Sequence, residues 1–197
     1  VSAGVVIVDN GGANVASVRY ALERLGARAE LSVDPGVIAG APRVILPGVG
    51  AAGDAMRRLA SLKDVIRGLR QPLLGICLGM QLLYEGSAEG DADCLGLVAG
   101  RVQRLAEALG QPVPHMGWNT LAPRACALFE GIVAGAHVYF AHSYAAPVGP
   151  DTVASCDYGG PFCAAVSRGN LHGVQFHPER SGAVGARLLA NFLALDG

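Results

Sequence analysis

Charge is scarce in this sequence. Only 16% of its 197 residues are charged, against roughly 25% in an average globular protein, which excludes a disordered or strongly solvated chain. Fifteen Lys and Arg against sixteen Asp and Glu leave a net charge of −1. Nothing therefore draws the chain toward nucleic acid or an anionic membrane, and neither is expected as a partner. Lysine is almost missing: fourteen of the fifteen basic residues are Arg, scattered without a cluster, the bias that GC-rich coding leaves. No run reaches the roughly 18 apolar residues that span a bilayer. The opening Val1 to Asn10 lacks the basic stretch of a signal peptide, so a cytoplasmic location is the expectation. Five cysteines (Cys77, Cys94, Cys126, Cys156, Cys163), with no Cys-x-x-Cys pair, form neither a disulfide framework nor a zinc knuckle. No metal site and no cofactor is expected.

What is present is apolar and rich in glycine, with 51% hydrophobic residues and 28 Gly. At ~150 residues per domain, the length fits one domain over residues 1–197. Gly4 to Asp9 is an apolar run followed by an amphipathic stretch, Asn14 to Leu25, closed by Gly26, which spells strand, loop and helix. Strands are expected at Ala27 to Val33, Arg43 to Leu46 and Pro72 to Ile76, with one helix from Asp54 to Leu69 and another from Met80 to Tyr84. Strand–helix alternation implies a parallel sheet covered on both faces. Further on, short runs at Gly100 to Leu105, His137 to Phe140, Thr152 to Cys156, Phe162 to Ser167 and Leu171 to Phe176 lie between Gly/Pro turns, the pattern of antiparallel hairpins. A helix from Ala183 to Leu195 closes the chain. The fold class is α/β: a three-layer sandwich with a mostly parallel central sheet and additional antiparallel strands.

Gly75-Ile76-Cys77-Leu78-Gly79 joins a buried strand to a helical run, so Cys77 sits at a nucleophile elbow with sulfur in place of oxygen. The flanking glycines permit a strained turn and close packing, and the helix N-terminus aims N–H groups at the sulfur; both favour the thiolate. A buried core cysteine is the competing reading. His177-Pro178-Glu179 places a carboxylate where it can orient the imidazole and stabilise its cation, although such a pair is also common surface sequence. Pro47-Gly48-Val49-Gly50 ends the third strand, at the sheet edge where open α/β folds bind ligands, and can present an N–H to an oxyanion.

Taken together, Gly75 to Leu83, Gly173 to Ser181 and Pro47 to Gly50 resemble the class I, triad-type glutamine amidotransferases. Within them, Pro114-His115-Met116-Gly117-Trp118-Asn119 and Tyr139-Phe140-Ala141-His142-Ser143-Tyr144 are most similar to the glutaminases of imidazole glycerol phosphate synthases. The likeness runs colinearly from Asp9 to Ser181, with departures at Asn10, Ala52 and Arg180, where Tyr, Phe and Lys are usual. It implies catalysis by Cys77, His177 and Glu179, an oxyanion held by N–H groups of Leu78 and of Val49 or Gly50, and glutamine bound by Gly50, Gln81, Glu89, Ser143 and Tyr144. It also implies a heterodimer with a (β/α)₈ cyclase subunit that uses the ammonia to make imidazole glycerol phosphate, a chain of this length leaving no room for that second activity. Asn14, Trp118, Tyr139 and Arg180 are the interface candidates, Trp118 foremost because exposed Trp favours hot spots.

Rival readings fare less well. An α/β-hydrolase places its acid between nucleophile and His in sequence, whereas here the acid follows the His. A dinucleotide-binding module would use Gly11-Gly12 and Glu30, but the Gly-x-Gly-x-x-Gly spacing is absent. His172 and His177 find no third metal ligand, and His115, His137, His142 and His172 read as satisfied structural residues. Glutaminases of pyridoxal phosphate or anthranilate-type synthases share the triad and stay open as siblings.

Overall fold

The structure, a computed structural model, describes residues 4–9, 11, 15–107 and 110–196. In chain order its strands are β1 (Gly4–Val8), β2 (Arg28–Ser32), β3 (Val44–Leu46), β4 (Leu73–Ile76), β5 (Tyr84–Ser87), β6 (Ala92–Asp93), β7 (Val98–Arg104), β8 (His115–Thr120), β9 (Ala122–Pro123), β10 (His137–His142), β11 (Tyr144–Ala145), β12 (Thr152–Asp157), β13 (Pro161–Arg168) and β14 (Leu171–Val174). The helices are α1 (Val15–Arg24), α2 (Pro35–Gly40), α3 (Ala52–Arg58), α4 (Lys63–Gly68), α5 (Leu78–Gln81) and α6 (Gly182–Ala194).

An eight-stranded sheet ordered β2-β1-β3-β4-β14-β13-β12-β9 forms the middle layer. Pairing is parallel from β2 through β14 and antiparallel from β14 to β9. Strands β1, β3 and β4 are almost wholly buried because helices cover both faces, as a parallel sheet requires. One apolar core holds Val18 and Leu22 of α1 with Leu188 and Phe192 of α6. The other, across the sheet, holds Ile38 of α2, Ala55 of α3 and Ile66 of α4. The three-layer α/β sandwich is thus as expected. Two smaller sheets flank it, the antiparallel ribbon β10-β8 and the sheet β11-β7-β5-β6.

Three segments differ from the sequence reading. The single helix expected over Asp54 to Leu69 is two, α3 and α4, separated by a turn at Leu59 to Leu62. Ala52, Ala55, Leu59, Leu62, Ile66 and Leu69 keep a helical spacing across the break, and all six are buried, so periodicity alone reads straight through the turn. The helix expected from Met80 to Tyr84 is α5, which stops at Gln81, and Tyr84 instead opens β5 in parallel register with β7. The strand expected to reach Phe176 stops at Val174, where the chain bends: Gln175 N–H still donates to Ala164 of the central sheet, at 2.9 Å, but His177 N–H donates to Tyr139 of the ribbon, also at 2.9 Å.

Candidate active site

Cys77 lies between β4 and α5 with φ 53° and ψ −111°, a left-handed conformation that costs an L-residue on the order of 1–3 kcal/mol and persists only where its surroundings enforce it. The strain falls on Cys77 itself, and the flanking glycines provide the close approach of helix and strand that the sequence reading expected of them. Their service is space. A Cβ on Gly79 would stand 1.8 Å from the Leu46 carbonyl oxygen, and one on Gly75 would stand 2.7 Å from the Gly79 backbone. Helix α5 thus rests directly on β3 and β4, and Leu78, its first residue, has an N–H without an intrahelical acceptor.

His177 and Glu179 arrive from the bend after β14. Nδ1 of His177 and Oε1 of Glu179 are 2.8 Å apart, with the side chains 8% and 0% exposed. Ser181 braces this turn, its hydroxyl donating to His177 O at 2.7 Å and accepting from Tyr139 N–H at 3.0 Å. Helix α6 packs hard beneath, since a Cβ on Gly185 would meet the Pro178 carbonyl oxygen at 1.9 Å. Burial pushes the His177 imidazole pKa down, but hydrogen bonds to Cys77 and Glu179, and the charges of both, outweigh it and raise it to about 10. Cys77, His177 and Glu179 are therefore brought together.

A cavity of about 490 Å³ opens onto Cys77, and its lining includes Val49, Gly50, Leu78, Gln81, Glu89, Ser143 and Tyr144 as well as Arg180. Its size suits a small molecule. A slightly larger hollow of about 530 Å³ between Pro123 and Ala134 has Cys126 and Glu130 in its lining but no histidine. Gly50 has φ +89° with open space around it, whereas a Cβ on Gly48 would press on Gly79 N and Leu78 Cβ, both at 2.8 Å. Glu89 accepts from the N–H of Ala52 at 3.0 Å, capping α3, whose own N-cap Ala51 has no side chain to do so. It is half-buried and so is not a freely solvated acid. Gln81 is 4% exposed, and its Nε2 donates to Tyr144 O at 2.7 Å and to Gln175 Oε1 at 2.9 Å.

The ribbon β10-β8 forms the opposite wall. Register pairs His142 with His115 on its inner face and Tyr139 with Trp118 on its outer face. Trp118 is 57% exposed, its ring 6.0 Å from that of Tyr139, and the Arg180 guanidinium lies 4.3 Å from the Tyr139 ring centre. Arg, in the place where Lys is usual, thus makes a cation–π contact with another interface candidate. Asn14 lies outside the described residues.

His115 and His142 are satisfied, as read, and so is His172, which bonds Ser167 Oγ at 2.9 Å; His137 is instead exposed. The inner pair fixes its own protons. Nδ2 of Asn119 donates to Asp157 O at 3.0 Å and faces His115 Nε2 at 3.3 Å; His115 Nδ1 lies 3.1 Å from His142 Nε2, and His142 Nδ1 lies 2.8 Å from Tyr144 O. Because a carbonyl only accepts, each ring must be neutral with its proton on Nδ1. Burial pushing the two pKa values down to about 4 and about 3 agrees. Gln175, fully buried, donates from Nε2 to Cys77 Sγ at 3.7 Å. The sequence reading gave it no role; its place two residues before His177 was the available signal.

The family model of glutamine amidotransferase class-I matches residues 6–195. The chain is 57% identical over 195 residues, 98% of each protein, to "Imidazole glycerol phosphate synthase subunit HisH" of Xanthomonas axonopodis pv. citri (strain 306). It is 55% identical, again over 98% of each, to the protein of that name from Xylella fastidiosa (strain Temecula1). Among solved structures, PurLQS from Thermotoga maritima matches with a TM-score of 0.73 at 21% identity, covering 98% of this chain and 99% of that one, a likeness of fold. With that architecture and a match from residue 6 to residue 195, the chain belongs to the glutamine amidotransferase class-I family.

Proposed function

We propose that this chain is the glutaminase subunit of an imidazole glycerol phosphate synthase, producing ammonia from glutamine for a cyclase subunit in histidine biosynthesis. The observation that carries the chemistry is a single one: an imidazole held 2.8 Å from a buried carboxylate and hydrogen-bonded to a strained cysteine that lines a cavity of about 490 Å³. The relatives named HisH carry the choice of synthase.

In this reading the Cys77 thiolate attacks the glutamine carboxamide carbon. The carbonyl electron pair moves to oxygen, which the N–H of Leu78 and that of Val49 or Gly50 would stabilise. Collapse breaks the C–N bond, and ammonia leaves with a proton from the His177 imidazolium. Water, deprotonated by His177, then attacks the thioester; the C–S bond breaks, the pair returns to sulfur and glutamate departs. Glu179 orients the ring and balances its charge. Glu89 supplies the carboxylate for the substrate ammonium, while Gln81, Ser143 and Tyr144 line the other side. Ammonia released to water is protonated and lost as a nucleophile, which argues for delivery to a docked cyclase; the family resemblance and the exposed Trp118 beside Tyr139 and Arg180 support that face for the docking.

The test is gel filtration of this chain with a histidine-pathway cyclase, followed by glutaminase assays with and without the cyclase nucleotide. A complex at micromolar concentration with faster turnover when loaded is expected. No complex would redirect the assignment to a sibling synthase.

A further inference from the structure

Two buried amides outside the triad, Gln81 and Gln175, form a directed chain that ends on the nucleophile's sulfur. A carboxamide nitrogen donates and its oxygen accepts, so partners dictate which way each amide points. Tyr144 O only accepts; the Gln81 atom 2.7 Å away is therefore nitrogen, and the Gln175 atom 2.9 Å from that nitrogen is oxygen. Gln175 is thereby forced to turn Nε2 toward Cys77 Sγ, 3.7 Å away. Tyr144 O is itself fixed by the Nδ1–H of His142, in the tautomer that His115 and Asn119 impose. Five groups thus aim one N–H, and neither amide is more than 4% exposed.

We propose that Gln175 is a further catalytic residue, an N–H donor to the Cys77 sulfur that stabilises the thiolate before attack and again as the leaving group of deacylation. Gln81 and the Tyr144 carbonyl are positioning groups for it. The proposal rests on Cys77 being the nucleophile. Its physical basis is that a donor held at a sulfur favours the charged form, and a better-stabilised thiolate leaves a thioester faster. The proton of the attacking water still goes to His177, and the C–S electron pair goes to the sulfur facing Gln175.

The test is peptide-resolved alkylation of the full chain by iodoacetamide over a pH series, comparing the unsubstituted protein with Gln175→Met, which lacks the N–H, and Gln175→Glu, which keeps an acceptor for Gln81 but faces the sulfur with an acid. The pH midpoint of Cys77 alkylation is expected to rise by about half a unit or more in the first variant and further in the second. An unchanged midpoint in both overturns the proposal. If neither variant folds, the Gln175 side-chain amide resonance of the unsubstituted chain decides: it must shift when Cys77 ionises and again when it is alkylated, and a resonance that stays put overturns the proposal. Failure of Cys77 to alkylate ahead of the other cysteines would remove the nucleophile assignment and this donor with it.

Discussion

The wall that carries Cys77 and the wall that carries Tyr144 face each other across one cavity, yet they are held by different forces. On the first, Gly48, Gly75 and Gly79 leave no room for a methyl group against backbone, and strands β3 and β4 are buried along their length. Steric contact sets the elbow from which the sulfur projects. The second joins the ribbon β10-β8 to Tyr144 of β11; the ribbon's outer face is open at Met116 and Trp118, and its inner face is tied by the hydrogen-bonded series from Asn119 to Tyr144. A wall fixed by contact tolerates no added atom; a wall fixed by hydrogen bonds tolerates no lost donor. The two should therefore fail under different substitutions and at different pH.

The largest effect belongs to the sulfur. Cys77→Ala is expected to take glutamine hydrolysis below detection while the complex still uses supplied ammonia; full glutaminase activity in that variant would end the nucleophile assignment. Next comes the steric wall. Gly79→Ala forces a Cβ within 1.8 Å of the Leu46 oxygen, and a loss of about 3 kcal/mol or more in urea unfolding is expected. A loss under about 1 kcal/mol would mean that contact does not set the elbow.

The hydrogen-bonded wall should break more gently. His142→Leu strips one of the two donors from Tyr144 O, leaving Gln81, and removes the acceptor of the His115 Nδ1–H; it should raise the KM for glutamine about tenfold, the scale of one unsatisfied buried group. His142→Asn, which can place an amide N–H near the lost Nδ1, should stay within about threefold. Equal KM values for the two would show that the donor is immaterial.

The smallest effect is read in pH, and its sign differs between the buried neutral histidines and His177. Burial pushes His115 and His142 down to about 4 and about 3, and His172 to about 4. Between roughly pH 6.5 and these values the unfolded chain binds protons that the native chain refuses, so stability falls as pH falls. His177, raised to about 10, acts oppositely: its contribution is complete below roughly pH 6.5 and is lost as pH climbs toward about 10. Urea midpoints at about pH 5 and about pH 7 should show an acid loss on the order of 1 kcal/mol per histidine, reduced in His142→Asn. An unchanged acid loss would show that His142 is not held neutral.

Legibility in the sequence followed the same divide. Cys77, its glycines and the His177–Glu179 pair are local patterns, because steric close approach and short-range pairing are written in adjacent residues. The parallel strands were equally plain. The polar series was not: His115, Asn119, His142, Gln81 and Gln175 meet only through pairings as distant as 94 residues, and no local pattern specifies which way an amide faces. The break between α3 and α4 stayed hidden for the converse reason, since a turn that preserves burial leaves the apolar period intact.

Gly48 and Gly50, both in the segment that ends the third strand, divide the labour between them. Gly48 is wedged against Leu78 and Gly79, while Gly50 stands in open space at φ +89°. Between the packed Gly48 and the Ala52 N–H held by Glu89 at the start of α3, Gly50 is the glycine of this loop that has room to turn. A methyl group at position 50 would disfavour the present backbone by roughly 1–2 kcal/mol, enough to shift the loop's conformational balance severalfold without touching Cys77, His177 or Glu179. That one glycine is the point at which a protein engineer could tune the basal glutaminase rate, leaving nucleophile, base and acid untouched.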